Sequence, residues 1–295
     1  MTSSSSNTHI PVLLHESITA LEIKKGDVVI DGTFGGGGHS AVIDKTFGKE
    51  IALVCVDLDE DAQARFEESF KKSSAIFVHD NYKNAKAILK KAKQSKVDKV
   101  LLDIGTSSFQ LDVDTRGFSF NSDAPLAMTL SKDGSHTGFN AFDIVNTWEE
   151  ASIADIIFYY GEDPFARVIA KAIVKARALA PIKTGRELGD LIALTIKRKG
   201  RLHPATKTFQ ALRIAVNDEL TVLKEALSAW WDELPVGGRI AVISFHSLED
   251  RIVKRWMVAQ EEKRVITKKP IVPSLEEIQH NPRARSAKLR VIEKI

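Results

Sequence analysis

Apolar residues in the first hundred positions come in short continuous runs. Asp27–Asp31 (DVVID), Ile51–Asp57 (IALVCVD), Ala75–His79 (AIFVH) and Val100–Asp103 (VLLD) are four of them. Unbroken rather than alternating apolarity suits strands buried on both faces, as in a parallel sheet. Helix-like stretches lie between the runs. Glu60–Lys72 carries Ala62, Phe66 and Phe70 on one stripe, and Asn84–Lys93 spaces Ala85, Ile88, Leu89 and Ala92 as a helix does. The succession βαβαβαβ predicts a doubly wound α/β sheet.

After residue 111 the pattern changes. Residues 112–140 are polar and lack a period. Phe165, Val168, Ile169, Ala172, Ile173 and Ala176 then follow the i, i+3, i+4, i+7 rule, with Pro164 near the helix start. Phe209, Leu212, Val216, Leu220, Leu223, Leu227 and Trp230 form one longer helical stripe. Strand patterning returns at Arg239–Phe245 (RIAVISF), a helix follows over Leu248–Val258, and Arg264–Thr267 and Leu289–Ile292 read as final strands. The expected organisation is an α/β core, 1–111 and 214–295, interrupted by an all-helical insertion, 112–213.

Composition narrows the chemistry. The chain has 295 residues, 43% hydrophobic, with a formal net charge of +3, which is ordinary for a globular protein. The charge is unevenly placed. Residues 181–213 and 263–295 each carry six excess positive charges, and the remainder carries nine excess negative ones. Two basic segments on an acidic body suggest a locally bound polyanion. The single cysteine, Cys55, supports neither a disulfide framework nor a cysteine zinc site, and no H-x-x-x-H pair occurs, so no metal is expected. The longest apolar runs span about six residues, far short of the ~20 a membrane helix needs. The opening MTSSSSNTH lacks the apolar core of a signal peptide. A soluble, cytoplasmic protein is expected.

The most informative stretch is Val28–Ser40, VVIDGTFGGGGHS: strand, acid, glycine turn, helix start. Asp57 ends the next strand, where an acid can accept hydrogen bonds from both ribose hydroxyls of an adenosine cofactor. Two cofactors compete for this arrangement. Gly36-x-Gly38-x-x-Ala41 satisfies a dinucleotide fingerprint. Asp31-x-Thr33-x-Gly35-x-Gly37 matches the D/E-x-G-x-G-x-G opening of S-adenosylmethionine methyltransferases, with Thr for the first Gly. Asp31 favours the second, because a carboxylate there repels a diphosphate and attracts a sulfonium. Ligands of open α/β sheets bind beyond the carboxyl ends of the strands, so Gly35–His39, Asp57, Tyr82 and Asp103 are expected around one crevice.

Longer motifs carry a family resemblance. HIPVLLHE (9–16), DGTFGGGGHS (31–40), LLDIGTSSFQLD (101–112), RGFSF (116–120), HPATKTFQALRIAVNDEL (203–220), GGRIAVISFHSLEDRIVKRW (237–256) and NPRARSAKLR (281–290) occur in order. Together they resemble the small-subunit (16S) ribosomal RNA cytosine-N4 methyltransferases of the MraW/RsmH type. The resemblance implies a class I (Rossmann-like) methyltransferase sheet with an inserted helical domain. It implies S-adenosylmethionine as cofactor and a cytidine near the decoding site as substrate, in free rRNA or in the assembled small ribosomal subunit. The cofactor positions it carries over are Gly37, Gly38, His39, Asp57, Tyr82 (where the family usually has Phe), Asp103 and Gln110. The chain departs from the family at Ala127 and Thr129, where an acid and an arginine are usual.

Attack by a cytosine amine on a sulfonium methyl needs in-line orientation and a proton acceptor, with no covalent nucleophile. Asp103, a backbone carbonyl near Ser107, or His246 are candidate acceptors, and Asp103 is taken as catalytic. Lys197, Arg198, Arg201, Arg213, His246, Arg283 and Arg285 are candidate RNA contacts. A non-catalytic ribosome-assembly factor and, on the glycine fingerprint, a nicotinamide-dependent oxidoreductase are the competing readings. Oligomeric state is left open, a homodimer being one option.

Overall fold

The computed structural model describes residues 11–104, 115–131, 137–196 and 203–295. The chain divides into two units, Met1–Ser107 with Leu220–Ile295, and Ser108–Glu219.

The first unit is built on a seven-stranded sheet. Its strands are β1 (Val28–Asp31), β2 (Ala52–Asp57), β3 (Ile76–His79), β4 (Lys99–Asp103), β5 (Arg239–Ser244), β6 (Lys263–Val265) and β7 (Lys288–Lys294). The order is β3-β2-β1-β4-β5-β7-β6. The first five pair in parallel, and β7 runs antiparallel to both β5 and β6. This is the Rossmann-like α/β class expected. Successive residues of each strand point to opposite faces, and both faces are covered, which is why the runs are unbroken. Val28, Ile30, Val54, Val56, Val100 and Leu102 face one apolar cluster, while Val29, Leu53, Cys55 and Leu101 face the other. The first cluster is closed by α4 (Ala85–Lys91), α10 (Glu219–Glu233) and α11 (Ser247–Ala259), and the second by α1 (Leu14–Leu21), α2 (Gly38–Phe47) and α3 (Glu60–Ser69). Strand order reverses between β1 and β4, so a crevice opens at the carboxyl ends of these neighbours.

The second unit has its own core, made by α5 (Ala141–Thr147), α6 (Glu150–Gly161), α7 (Ala166–Arg177), α8 (Gly185–Thr195) and α9 (Thr206–Asn217). Ile144, Ile153, Ile157, Ile169, Ile173, Leu188 and Leu212 are all fully buried there or nearly so.

One expectation is corrected, and one boundary is drawn differently by the packing. The long stripe from Phe209 to Trp230 is two helices, because Asp218 takes the left-handed conformation (φ 47°) and its N–H bonds back to the Ile214 carbonyl. The apolar phase runs through the break, so periodicity alone did not reveal it. Residues 214–219, expected in the core, belong to the helical unit. The reason is that α9 runs unbroken to Asn217 and buries Val216 in the helical cluster. Among the described residues no helix is long and apolar enough to cross a membrane.

Candidate active site

The turn after β1 is held from four sides. Asp31 ends the strand with its side chain folded inward. Ser40 Oγ donates to Oδ2 at 2.6 Å and the Thr33 amide donates to Oδ1 at 3.2 Å. Burial pushes the Asp31 carboxyl up from the ordinary 3.8 to about 6, despite both hydrogen bonds. Asp31 is 1% exposed, so only its field, not its side-chain oxygens, reaches the outer face of the turn.

Phe34 anchors the turn from below. Its amide donates to the Val56 carbonyl, and its ring packs edge-on against Phe66, Phe70 and Phe77. Gly37 then rises over the same ring with φ 75°, and a Cβ there would come within 2.6 Å of Phe34 Cζ. Pro11 closes the third side, because a Cβ on Gly38 would lie 2.8 Å from its Cγ. His39 closes the fourth. It is buried, its Nε2 donates to the Val12 carbonyl at 3.1 Å, and its Nδ1 lies 3.8 Å from Asp103 Oδ2. Pro11 and Val12 thus brace the glycine turn, and Pro11, Val12 and Phe34 pack against the candidate site although sequence reasoning did not single them out. A single large ring amid five glycines was the available signal for Phe34.

The acids at the neighbouring strand ends join the same network. Asp57, at the end of β2, accepts the Gly35 amide on Oδ2 at 2.7 Å and the Asp59 amide on Oδ1 at 2.8 Å. Burial raises its carboxyl above the usual range, opposed by those two amides. Arg65 donates from Nε to the Gly35 carbonyl, steadying the turn from α3. At the end of β4, the Asp103 amide donates to Thr33 Oγ1 at 2.7 Å. Thr33, standing where the motif usually has glycine, therefore ties β4 to the turn. Tyr82 is half-buried beside Gly32, and its carbonyl accepts Trp230 Nε1 at 2.7 Å. Gly35, Gly37, Gly38, His39, Asp57, Tyr82 and Asp103 are thus brought to one edge of the sheet. Gln110 lies outside the described residues, as does Ser107.

The polar candidates divide. His246 is the N-cap of α11. Its Nδ1 accepts the Glu249 amide at 3.3 Å and its Nε2 lies 3.0 Å from Glu249 Oε1. Nδ1 serves the cap, while Nε2 is buried with no hydrogen-bond partner among the described residues, so His246 keeps one ring nitrogen for a ligand and stays a candidate. Arg213 is committed, with Nε 2.8 Å and Nη2 2.9 Å from the two carboxylate oxygens of Glu219. This fork spans the helix break at Asp218. Arg283 and Arg285 are exposed on the turn Pro282–Ser286. Lys197, Arg198 and Arg201 lie outside the described residues.

The second basic segment presents less charge than its count suggests. Lys288 and Arg290 pair with Asp250, Arg264 pairs with Glu293, and Lys263 and Lys294 donate to backbone carbonyls. Ala127 and Thr129 sit in a segment held by its backbone. Ala127 N and Met128 N donate to the Arg116 carbonyl, and Asn217 Nδ2 donates to the Met128 carbonyl. Ala127 also lines a cavity of about 400 Å³ with Asp123, Pro125, Leu126, Asn140, Phe142, Lys183 and Thr184.

Comparison with known proteins follows the same outline. The MraW methylase family matches this chain over residues 6–295. The ribosomal RNA small subunit methyltransferase H of Clostridioides difficile is 44% identical over 310 residues, covering 97% of this chain and 99% of its own. Its namesake in Caldicellulosiruptor saccharolyticus is 45% identical over 307 residues, covering 97% and 99%. That of Deinococcus deserti is 45% identical over 296 residues, covering 100% and 96%.

Proposed function

We infer, from the premise that the chain belongs to the MraW methylase family, that it is an S-adenosylmethionine-dependent methyltransferase of small-subunit ribosomal RNA. The finer reading is transfer to N4 of a cytidine near the decoding site. The observation that supports the cofactor class is Asp31. With its carboxyl near 6, it is mostly ionised at neutral pH, directly beneath the glycine turn. That field favours a sulfonium and opposes a diphosphate.

The residues present fit this cofactor. Each oxygen of Asp57 accepts one amide and keeps a lone pair, so two ribose hydroxyls can be taken together. The Gly35–Gly38 backbone permits close approach, and Tyr82 offers a ring to the adenine. When bound, the cofactor supplies an electrophilic methyl group. The chain's part is to hold the cytosine amine in line with it and to take up the proton released as the new bond forms. Asp103 is the group assigned to that proton. Its backbone is fixed by Thr33 and its carboxylate lies beside His39, so little reorganisation accompanies the step.

A base inside folded RNA must be extruded to reach such a crevice, at about a few kcal/mol. Arg283 and Arg285 are assigned to phosphates near the site, and the helical unit to the surrounding RNA. Titration calorimetry tests the cofactor class: S-adenosylmethionine binds and NAD does not. Binding of NAD in place of S-adenosylmethionine overturns the reading.

A further inference from the structure

The turn between α6 and α7 carries exposed aromatic rings on a rigid backbone. Phe158 is 54%, Tyr159 64% and Phe165 43% exposed. The backbone beneath them is fixed from within. Gly161 packs so closely that a Cβ would meet the Lys207 carbonyl at 2.6 Å. Lys207 Nζ donates to the Glu162 carbonyl at 2.7 Å, and Gln210 Nε2 donates to the Tyr160 carbonyl at 2.9 Å. Asp163, wholly buried, accepts the Phe165 amide at 3.0 Å. The rings are therefore exposed by design of the corner, not by fraying. Phe158 and Tyr159 meet edge to face, 5.2 Å between centroids.

The helix that leaves this corner adds charge. Arg167, Lys171 and Lys175 stand at i, i+4 and i+8 on the exposed face of α7, a row stepping about 6 Å at a time. α7 contains no acid. Among the described residues, none of the three has an ion pair or side-chain hydrogen bond. The exposed acids at the corner are Asp155 and Glu162, and Asp163 is buried beneath it.

We propose that this corner and the cationic face of α7 form a docking surface for a single-stranded segment of RNA. Its bases stack on Tyr159, Phe158 and Phe165, and its phosphates follow Arg167, Lys171 and Lys175. The proposal rests on the reading of the chain as an rRNA methyltransferase and deepens it. Flat rings reach bases that are unstacked, whereas a duplex offers mainly its backbone. A cation row with no intervening acid complements a polyanion. It disfavours a second copy of the chain, because a two-fold contact through this face sets the row against itself.

The test is fluorescence anisotropy of the full chain with an unstructured RNA oligonucleotide and with its duplex, across a salt series. The triple variant R167Q/K171Q/K175Q is expected to bind the single strand about ten-fold or more weakly. The slope of log affinity against log salt should shrink by about 2. Tyr159→Ala is expected to lose about ten-fold with the slope unchanged. Both should bind S-adenosylmethionine as the parent does. Parent-like RNA binding by both variants, preference for the duplex, or conversion of a dimer to a monomer by the triple variant would each overturn the proposal. Methyl transfer to small ribosomal subunits separates the two readings. A parent that transfers methyl groups while both variants show unchanged KM refutes the surface alone. A parent that transfers none refutes the rRNA reading and the surface with it.

Discussion

The amide of Gly35 donates to Oδ2 of Asp57 at 2.7 Å, joining the turn after β1 to the acid that ends β2. Asp57 thus sets the shape of the glycine turn, and in the proposed reading its remaining lone pairs take a ribose. Asp57→Ala is expected to weaken S-adenosylmethionine binding about 10- to 100-fold, the worth of charge-assisted hydrogen bonds. Asp57→Asn should fall between, since its oxygen can still accept Gly35 while its NH2 faces the Asp59 amide. Titration calorimetry measures both, and unchanged affinity in the alanine variant removes Asp57 from the site.

Gly37 has φ 75° and no room for a Cβ over Phe34. Gly37→Ala is expected to cost about 2 kcal/mol or more in urea unfolding, from left-handed strain plus displacement of the ring. Cofactor affinity should fall with it. A variant as stable as the parent contradicts the packing described.

Asp31 gives a pH signature. Its carboxyl lies at about 6 in the fold against an ordinary 3.8. Below about pH 3 it is protonated folded and unfolded alike, and burial costs nothing extra. Between about 4 and 6 the folded state holds a proton that the unfolded state releases, so stability falls as pH rises. Above 6 the buried charge costs about 3 kcal/mol. Asp31→Asn lacks this dependence. The stability difference between parent and variant is expected to shift by about 2 kcal/mol between pH 4 and 6.5, in favour of the variant at the higher pH, and a flat difference would count against the buried carboxylate.

In the proposed reading Asp103 takes the proton released on methyl transfer, and Asn in its place keeps an oxygen and an NH2 for contact with the adenosine. Asp103→Asn is expected to lower kcat about a hundred-fold or more and to change S-adenosylmethionine affinity little. A variant with near-normal turnover and intact binding removes it as the acceptor.

The strands were legible because β2 and β5 are buried on both faces, which leaves unbroken apolar runs ending in Asp57 and Ser244. The candidate cofactor edge was drawn from the acid and glycines that close the first run and the acids that close the second and fourth. Other features depend on contacts that no local pattern encodes. Arg213 reads as a free cation until the break at Asp218 brings Glu219 under its fork. His246 also caps a helix, His-x-x-Glu here being a capping pair with a ring where a hydroxyl is usual. Pro11 and Val12 support the turn from a segment about twenty-five residues upstream. The α7 cations were hidden by counting charge over long segments, because their surroundings in the chain are acidic overall.

The most direct test of the whole account is transfer of a labelled methyl group from S-adenosylmethionine to small ribosomal subunits by the purified chain, with nucleoside analysis of the product. The account predicts label on N4-methylcytidine at a single position in the rRNA, reduced with Asp57→Ala at limiting cofactor. Label on another base, or no transfer to subunits or free rRNA, would contradict it.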